Sequence, residues 1–593
     1  MKKTILICLV VPIAIGIPTS TLLAQVADSP GADFLHRSQP HVPHGLRDTH
    51  RGGETRPDTL PGDGSLVDHS GTQGQESAGS SAEVGEHAPV TVYLVHRTPE
   101  SAGNLVVDLW DAEMYGLEDF SNHQQMEIPP MDAHMLTGLM PREERGYRFR
   151  TPSISGPSIL RLSFGANPVI RDYRVSPGDS IMIQVNPQSS AITFSGPSSF
   201  KFRLQKELQE VLSASVQETD VVLPFNSDDG YRTFLAEPKN HTAWDTISRS
   251  FGRKTSPVVA GKSELEFLKS IDYKKWEAEV SQRVGFYEKW LSEADRMAIK
   301  AGILGRLGYI HVARLQGAYE RVVQLDEPQT EREFEGFISQ YAHEFAKDIP
   351  IETALQVPPF RNFLLSKSKL SADVTGNSFL EEVRGEYPSA VADRLAIQYL
   401  SDYRRRIPDF ESQAKELLSQ VAEPSLKAEL EIMLGKFGSG SKVISFDWLG
   451  IDGKRIQTDE YKDKVILMDF WISGCGACKA FHEKILSPLI SRYAEHPKVE
   501  IISVSADRKP DYWQRQNGTP NVPDAGYTPA YAEQEEGKNT FLSHYNIQSF
   551  PQWMIIRDGG SLLNLGRVPA TLEEAEGLIE RALSNPTSQS NLL

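Results

Sequence analysis

Apolar residues are spaced in successive ways along the chain, and each spacing predicts a different kind of structure. From Val26 to about His87 large apolar side chains are sparse among Gly, Ser, Pro, Asp and His. Such a stretch cannot bury enough surface to offset its ordering entropy, which predicts a disordered linker over 25–88. From Val90 the apolar residues fall in short runs: Val90 to Val95, Leu105 to Trp110, Tyr147 to Arg150, Ile159 to Phe164, Arg171 to Val175 and Ile181 to Val185. Pro177-Gly178-Asp179-Ser180 supplies turn residues between the last two. Short strands at this spacing predict a small β-sandwich over 89–197, with a binding or spacing role.

After Ser195-Gly196-Pro197-Ser198-Ser199, whose serines suit a helix N-cap, the period becomes that of helices. It persists to about Lys436, predicting an all-α domain over 198–437. Phe334, Phe337, Ile338, Tyr341 and Phe345 lie on one apolar face, and Leu395, Tyr399 and Tyr403 on another. Pro350, Pro358-Pro359 and Pro408 punctuate the array. His311 shares a face with Leu307, Leu315 and Val322 and reads as a hydrogen-bonded core histidine. Arg404-Arg405-Arg406 reads as a solvated helix end, and Gly438-Ser439-Gly440-Ser441 as a flexible joint.

Beyond the joint, strand runs alternate with helical ones. Strands are expected at Val443 to Phe446, Val465 to Phe470, Val499 to Val504, Gln552 to Ile556 and Leu562 to Leu565. Asp452-Gly453 and Asp558-Gly559-Gly560 supply hairpin turns. Phe481, Ile485, Leu489 and Tyr493 recur every fourth residue, and further helices fall near Tyr512 and Trp513 and from about Thr571 to Leu583. This alternation predicts a three-layer α/β domain over 438–593, the last part of a multi-domain chain.

Composition narrows the function. A chain of 593 residues is too long for one core. With 62 basic and 79 acidic residues its formal charge is −17, which disfavours nucleic acid and anionic lipid as partners through bulk electrostatics. Lys2 and Lys3, the apolar run Ile5 to Ile17 and Leu22-Leu23-Ala24 follow the order of a secretory signal, expected over 1–24. Pro12 and Gly16 interrupt that run, and it is shorter than the ~20 residues of a membrane-spanning helix.

Of the 3 cysteines, Cys8 leaves with such a signal, so the mature chain keeps only Cys475 and Cys478. An exported chain with a single vicinal pair points to redox chemistry rather than to disulfide staples. Four-coordinate zinc needs a second pair of ligands, so no metal is expected at the cysteines. His36, His41, His44, His50 and His69 have no regular spacing that would fix a metal either.

Asp469-Phe470-Trp471-Ile472-Ser473-Gly474-Cys475-Gly476-Ala477-Cys478-Lys479 follows an apolar run and precedes the four-residue repeat, so it reads as strand, tight turn and helix. The two cysteines then sit on a first helical turn, whose free N–H groups and dipole stabilise a thiolate. Cys475, the more exposed by helix geometry, is the expected nucleophile, and Cys478, one turn deeper, the resolving thiol. Asp469 ends a buried strand, where poor solvation raises its affinity for a proton that it can trade with Cys478. Trp471 and Phe550 are expected to wall the site, and His482 to lie on a solvated helix face. Pro488 after Ser487 is a pattern that restarts or kinks a helix.

These residues resemble the TlpA/ResA type of thioredoxin-fold thiol-disulfide oxidoreductase. The likeness rests on Asp452-Gly453-Lys454, on Lys464-Val465-Ile466-Leu467-Met468-Asp469-Phe470-Trp471 leading into Cys475-Gly476-Ala477-Cys478, on Ser503-Val504-Ser505-Ala506-Asp507 with Trp513, and on Phe550-Pro551. It covers about a quarter of the chain, and the order of β, helical and thioredoxin domains resembles a multi-domain variant of the family. The resemblance implies a redox-active Cys475–Cys478 disulfide, a proton-managing Asp469, and a cis peptide at Phe550-Pro551 against which an extended substrate segment hydrogen-bonds. It also implies a disulfide-bearing client protein, a DsbD-like membrane electron donor, a setting in the periplasm or cell envelope like that of cytochrome c maturation, and no cofactor.

The chain departs from the family at Gly474, where an aromatic residue is usual, and at Ala477, where proline is usual. With no histidine between the cysteines, a reducing pair is expected. Two rivals remain: a disulfide isomerase or oxidase, and a periplasmic or surface binding protein whose thioredoxin domain is regulatory or structural. A peroxiredoxin is disfavoured, since that family has Thr where this chain has Ile472.

Overall fold

The computed structural model describes residues 87–584 apart from 98–102, 113–122, 133–143, 166, 187–190, 238–254, 408, 508, 518–525, 534–538 and 567. The signal-like segment, the expected linker up to residue 86 with its histidines, Cys8 and Pro408 lie outside the described residues, while Ala88, placed at the linker's end, is instead bridged to Ile154.

Nine strands form the first unit: β1 Thr91–Arg97, β2 Leu105–Asp111, β3 Gln124–Ile128, β4 Met131–Asp132, β5 Glu144–Arg150, β6 Ser158–Phe164, β7 Asn167–Val175, β8 Ser180–Asn186 and β9 Ala191–Ser195. They make a five-stranded sheet, β4-β5-β1-β8-β9, and a four-stranded sheet, β3-β2-β6-β7. Val92 and Leu94 from one sheet meet Leu105, Val107 and Leu109 from the other in a shared core, so the expected sandwich is present. β3, β4 and β9 were not anticipated. All three are edge strands, and polar edges such as Gln124-Gln125-Met126-Glu127-Ile128 give little apolar signal.

The turn at Gly178 (φ 81°) ties this unit to the next. Lys201, only 4 % exposed, donates to Asp179 Oδ2 at 2.8 Å and Ser176 Oγ at 2.7 Å from the helix Ser199–Glu218.

From that helix to Pro424–Phe437 the helices share one apolar core. The face of Phe334, Phe337, Ile338, Tyr341 and Phe345 is buried, as is Leu395, while Tyr399 and Tyr403 are half-buried and stacked on each other. The helical period is nevertheless interrupted by a parallel pair, β10 Val221–Phe225 with β11 Thr255–Val259. Each is five residues long, too short to set its own period against the flanking helices. The 30-residue helix Glu293–Val322 crosses Pro358–Thr375 closely, and a Cβ on Gly305 would overlap the backbone of Pro359 and Phe360.

Several local expectations are corrected. His311 is a buried core histidine, and burial holds it down to about 3. Its Nε2, however, has no hydrogen-bond partner among the described residues, and the rings of Tyr273 and Tyr341 lie tilted against it with centroids at 5.1 and 4.4 Å. The basic run is not a solvated end, since the C-terminal domain packs against it. Arg404 is buried, donates to Ser401 O at 2.6 Å and lies 4.2 Å over the Phe437 ring. Arg405 donates to the carbonyls of Tyr545 and Asn546, and only Arg406 is exposed.

Nor is 438–441 a loose joint. Gly440 N donates to Leu562 O at 2.7 Å, Leu562 N to Ser441 O at 2.8 Å, and Ser439 N to Glu411 Oε2 at 3.1 Å.

The C-terminal unit contains β12 Asp447–Gly450, β13 Arg455–Gln457, β14 Val465–Trp471, β15 Val499–Ser505, β16 Thr528–Tyr531, β17 Gln552–Ile556 and β18 Leu562–Gly566. Their order is β13-β12-β16-β15-β14-β17-β18, with β14, β15 and β16 parallel and β17 and β18 antiparallel to their neighbours. β12 starts where the expected strand Val443 to Phe446 ends. Val443 and Phe446 are instead irregular backbone, held by Gly560 O at 2.9 Å and Thr458 Oγ1 at 2.6 Å. β16 and the helix Thr540–His544 were also not anticipated.

β14 is covered on both faces. Ile466, Met468 and Phe470 pack with Trp448, Phe541 and Tyr545, whereas Val465 and Leu467 pack with Phe481, Ile485 and the final helix Leu572–Ser584.

Gly305→Ala forces a methyl group into backbone and should lower stability by about 2 kcal/mol, outweighing the gain in helix propensity. Urea unfolding of the full chain measures this, and an unchanged midpoint would show that the helix crossing relaxes freely.

Candidate active site

β14 delivers the chain to a turn whose shape is set from β15. Ser473 donates through its N–H to Asp507 Oδ1 at 2.9 Å and through its hydroxyl to Oδ2 at 2.7 Å, and Ser505 Oγ adds a bond to Oδ2 at 3.0 Å. Gly474 follows with φ 79°, the left-handed region that a side chain disfavours. The missing aromatic residue thus has a backbone cause.

Cys475 is the N-cap of the helix Gly476–Phe481, and Cys478 N–H donates to its Sγ at 3.1 Å. The helix continues through a π turn, His482–Leu486, into Ser487–Tyr493. In that turn Ser487 N–H reaches back to His482 O, which widens the helix just where Pro488 lacks an N–H and its ring would press on a carbonyl. Phe481, Ile485, Leu489 and Tyr493 are all buried against the sheet. His482 is half-buried rather than on an open face, and burial lowers its pKa against the opposing effect of Glu483.

The two cysteines form a disulfide with Cα atoms 5.3 Å apart. Cys478 is buried, while Cys475 is partly exposed. Phe550 and Pro551, just before β17, come to the same end of the sheet: their peptide is cis, and Phe550 O lies 3.9 Å from Cys475 Sγ. Trp471, Phe550 and Pro551 are each half-buried around the sulfurs' end of the sheet.

Asp469 alternates with Val465 and Leu467 and so lies on the β14 face covered by the dithiol helix. It is 4 % exposed. Trp471 Nε1–H donates to Ser503 Oγ at 3.0 Å, and Ser503 Oγ–H donates to Asp469 Oδ2 at 3.4 Å. Oδ1 has no hydrogen-bond partner among the described residues. Burial pushes the carboxyl from 3.8 up to about 7, and Ser503 offsets only part of this. A group titrating there can hold or release a proton at neutral pH.

Ser503 and Asp507 received no role from the sequence. Their signal was available, because Ser503, Ser505 and Asp507 place polar groups at alternate positions of an otherwise apolar strand end, which directs them all to one face.

Residues 463–562 match a family model described as thioredoxin-like, and together with the mixed sheet this makes the C-terminal unit a thioredoxin-like domain. Among solved structures, a putative thiol-disulfide oxidoreductase from Bacteroides vulgatus is similar at 23% identity, covering 25% of this chain and 98% of that one, with a TM-score of 0.22. A putative thiol:disulfide interchange protein DsbE from Chlorobium tepidum shares 24% identity over 24% of this chain and 97% of that one, at TM-score 0.21. A thiol:disulfide interchange protein from Bacteroides sp. shares 18% identity over 26% and 95% of the two chains, at TM-score 0.22. No curated protein matches the chain.

Asp469 binds its proton more tightly in the folded than in the unfolded chain. Between 3.8 and about 7 the folded state therefore holds the extra proton, and stability falls as pH rises through that window. Asp469→Asn removes this slope. Relative to wild type, the oxidised variant should gain on the order of 4 kcal/mol between pH 4 and pH 8 in urea unfolding; parallel curves would mean that Asp469 does not titrate in this range.

Proposed function

We propose that the protein is an exported thiol-disulfide oxidoreductase that reduces client disulfides in the periplasm or cell envelope. One observation carries the reading: a partly exposed Cys475 at a helix N-cap is bonded to a buried Cys478, on the sheet face that holds a carboxyl titrating near neutrality.

In the dithiol form the Cys475 thiolate attacks one sulfur of a client disulfide, and the client's other sulfur leaves as a thiolate that takes up a proton. Cys478 then passes its proton to Asp469 and attacks the Cys475 sulfur. The mixed disulfide breaks, the client's second sulfur leaves as a thiolate that takes up a proton, Asp469 gives its proton back to solvent, and Cys475 and Cys478 are left joined. Two electrons have moved from the dithiol to the client. A DsbD-like membrane donor resupplies them and returns the protein to its dithiol form. Phe550 O and the cis peptide edge offer backbone for an extended client segment beside the reacting sulfur, while Trp471 limits water.

With dithiothreitol as electron source, the mature chain should reduce insulin and Cys475→Ser should not. Equal rates would favour the rival in which the two preceding units bind a partner and the thioredoxin-like domain only supports them. Cys478→Ser should accumulate mixed disulfides, and Asp469→Asn should slow their resolution about 100-fold. Equilibration with glutathione tests the direction of electron flow: a potential near about −270 mV is expected, and one near about −120 mV would mark an oxidant.

A further inference from the structure

We infer that Arg405, from the helical unit, is a positioning residue for the dithiol site and sets the Phe550-Pro551 loop from outside the thioredoxin-like domain; the inference deepens the redox reading above and rests on it for its effect on clients. The short helix Thr540–His544 ends with Asn546 at φ 49°. Ile547 N–H returns to Leu542 O at 2.8 Å and Asn546 N–H to Ser543 O at 3.1 Å, the paired bonds of a left-handed helix stop. The carbonyls of Tyr545 and Asn546 are then the outward acceptors of a negative helix end.

Arg405 meets both of them. One guanidinium nitrogen donates to Tyr545 O at 3.4 Å and to Asn546 O, so the stop is capped by a cation from the segment just after the helix Ser389–Tyr403. The contact is built rather than incidental. Asn546 is 5 % exposed and Tyr545 1 % exposed, the Tyr545 hydroxyl accepts from Ile444 N–H at 3.0 Å, and a Cβ on Gly566 of β18 would lie 3.6 Å from Arg405 Cα.

From Asn546 the chain runs through Ile547, Gln548 and Ser549 to Phe550, with no strand or helix between them. At its far end the loop is held by Gln552 Nε2, which donates to Ser549 O at 2.7 Å, and by the pairing of β17 with β14. Its near end is held by the helix-stop bonds of Asn546 and Ile547 and by Arg405 on the carbonyls of Tyr545 and Asn546. The carbonyl facing Cys475 Sγ therefore sits on a short span fixed at both ends, one of them anchored in a different unit of the chain. The helical array is in this way part of the client-binding geometry.

The test uses the full mature chain with Arg405→Gln and Arg405→Lys. In the oxidised protein, Arg405→Gln should speed hydrogen exchange of the Asn546 and Ile547 amides about tenfold, leaving the amides of β14 and of the helix Ser389–Tyr403 unchanged, and Arg405→Lys should restore part of the protection. With a disulfide peptide, Arg405→Gln should raise KM about fivefold at unchanged kcat. Unchanged exchange at Asn546 and Ile547 would overturn the inference. Acceleration spread equally over β14 and the helical unit, or failure of Arg405→Gln to fold, would overturn it too, since Arg405 would then serve global stability. If the wild-type chain exchanged no disulfide at all, the redox reading would fall while the exchange measurement still decided the clamp.

Discussion

The site depends on one strand being dry on both faces. β14 has neighbours on both edges and apolar layers above and below, so its last residues leave the sheet from a fixed point and a carboxylate within it has almost no water. A solvent-facing aspartate at a strand end titrates far below neutrality. Buried at position 469, the same group is pushed up to about 7. The burial that stabilises the domain and the cost of ionising Asp469 are two results of one arrangement, because the dithiol helix that covers Leu467 also covers Asp469.

Hydrogen bonds then set what burial alone leaves free. Ser503 can act as donor to Asp469 because Trp471 already occupies it as an acceptor, so the indole fixes the direction of the hydroxyl and, through it, one carboxyl oxygen. Asp507 does the corresponding work for the turn by binding both the N–H and the hydroxyl of Ser473.

The sequence made the sandwich strands, the helical faces and the dithiol junction legible, since each has a strong period or a bounded apolar run. Legibility failed where contacts between distant segments decide the outcome. The serines and glycines of 438–441 have the composition of a loose joint, but Leu562 and Glu411 bond to their backbone. Arg404 and Arg405 form a basic run suited to water, but Phe437 and the end of Thr540–His544 cover them. β10 and β11 pair only with each other, so neither half announces itself alone. Cys475, Cys478, Asp469 and Pro551 were singled out together because local pattern and family likeness agreed, and they lie toward one end of the C-terminal sheet. Ser503 and Asp507 needed the pairing of β15 with β14 before their alternate polar positions acquired meaning.

The only covalent cross-link among the described residues closes a loop of sequence separation 3. So small a ring removes little freedom from an unfolded chain, and the cores and the contacts between units contain no other sulfur bridge. The bridge therefore acts little as a staple of the unfolded chain. The fold is held by burial and hydrogen bonding, with the one bridge confined to a single turn at the start of a helix.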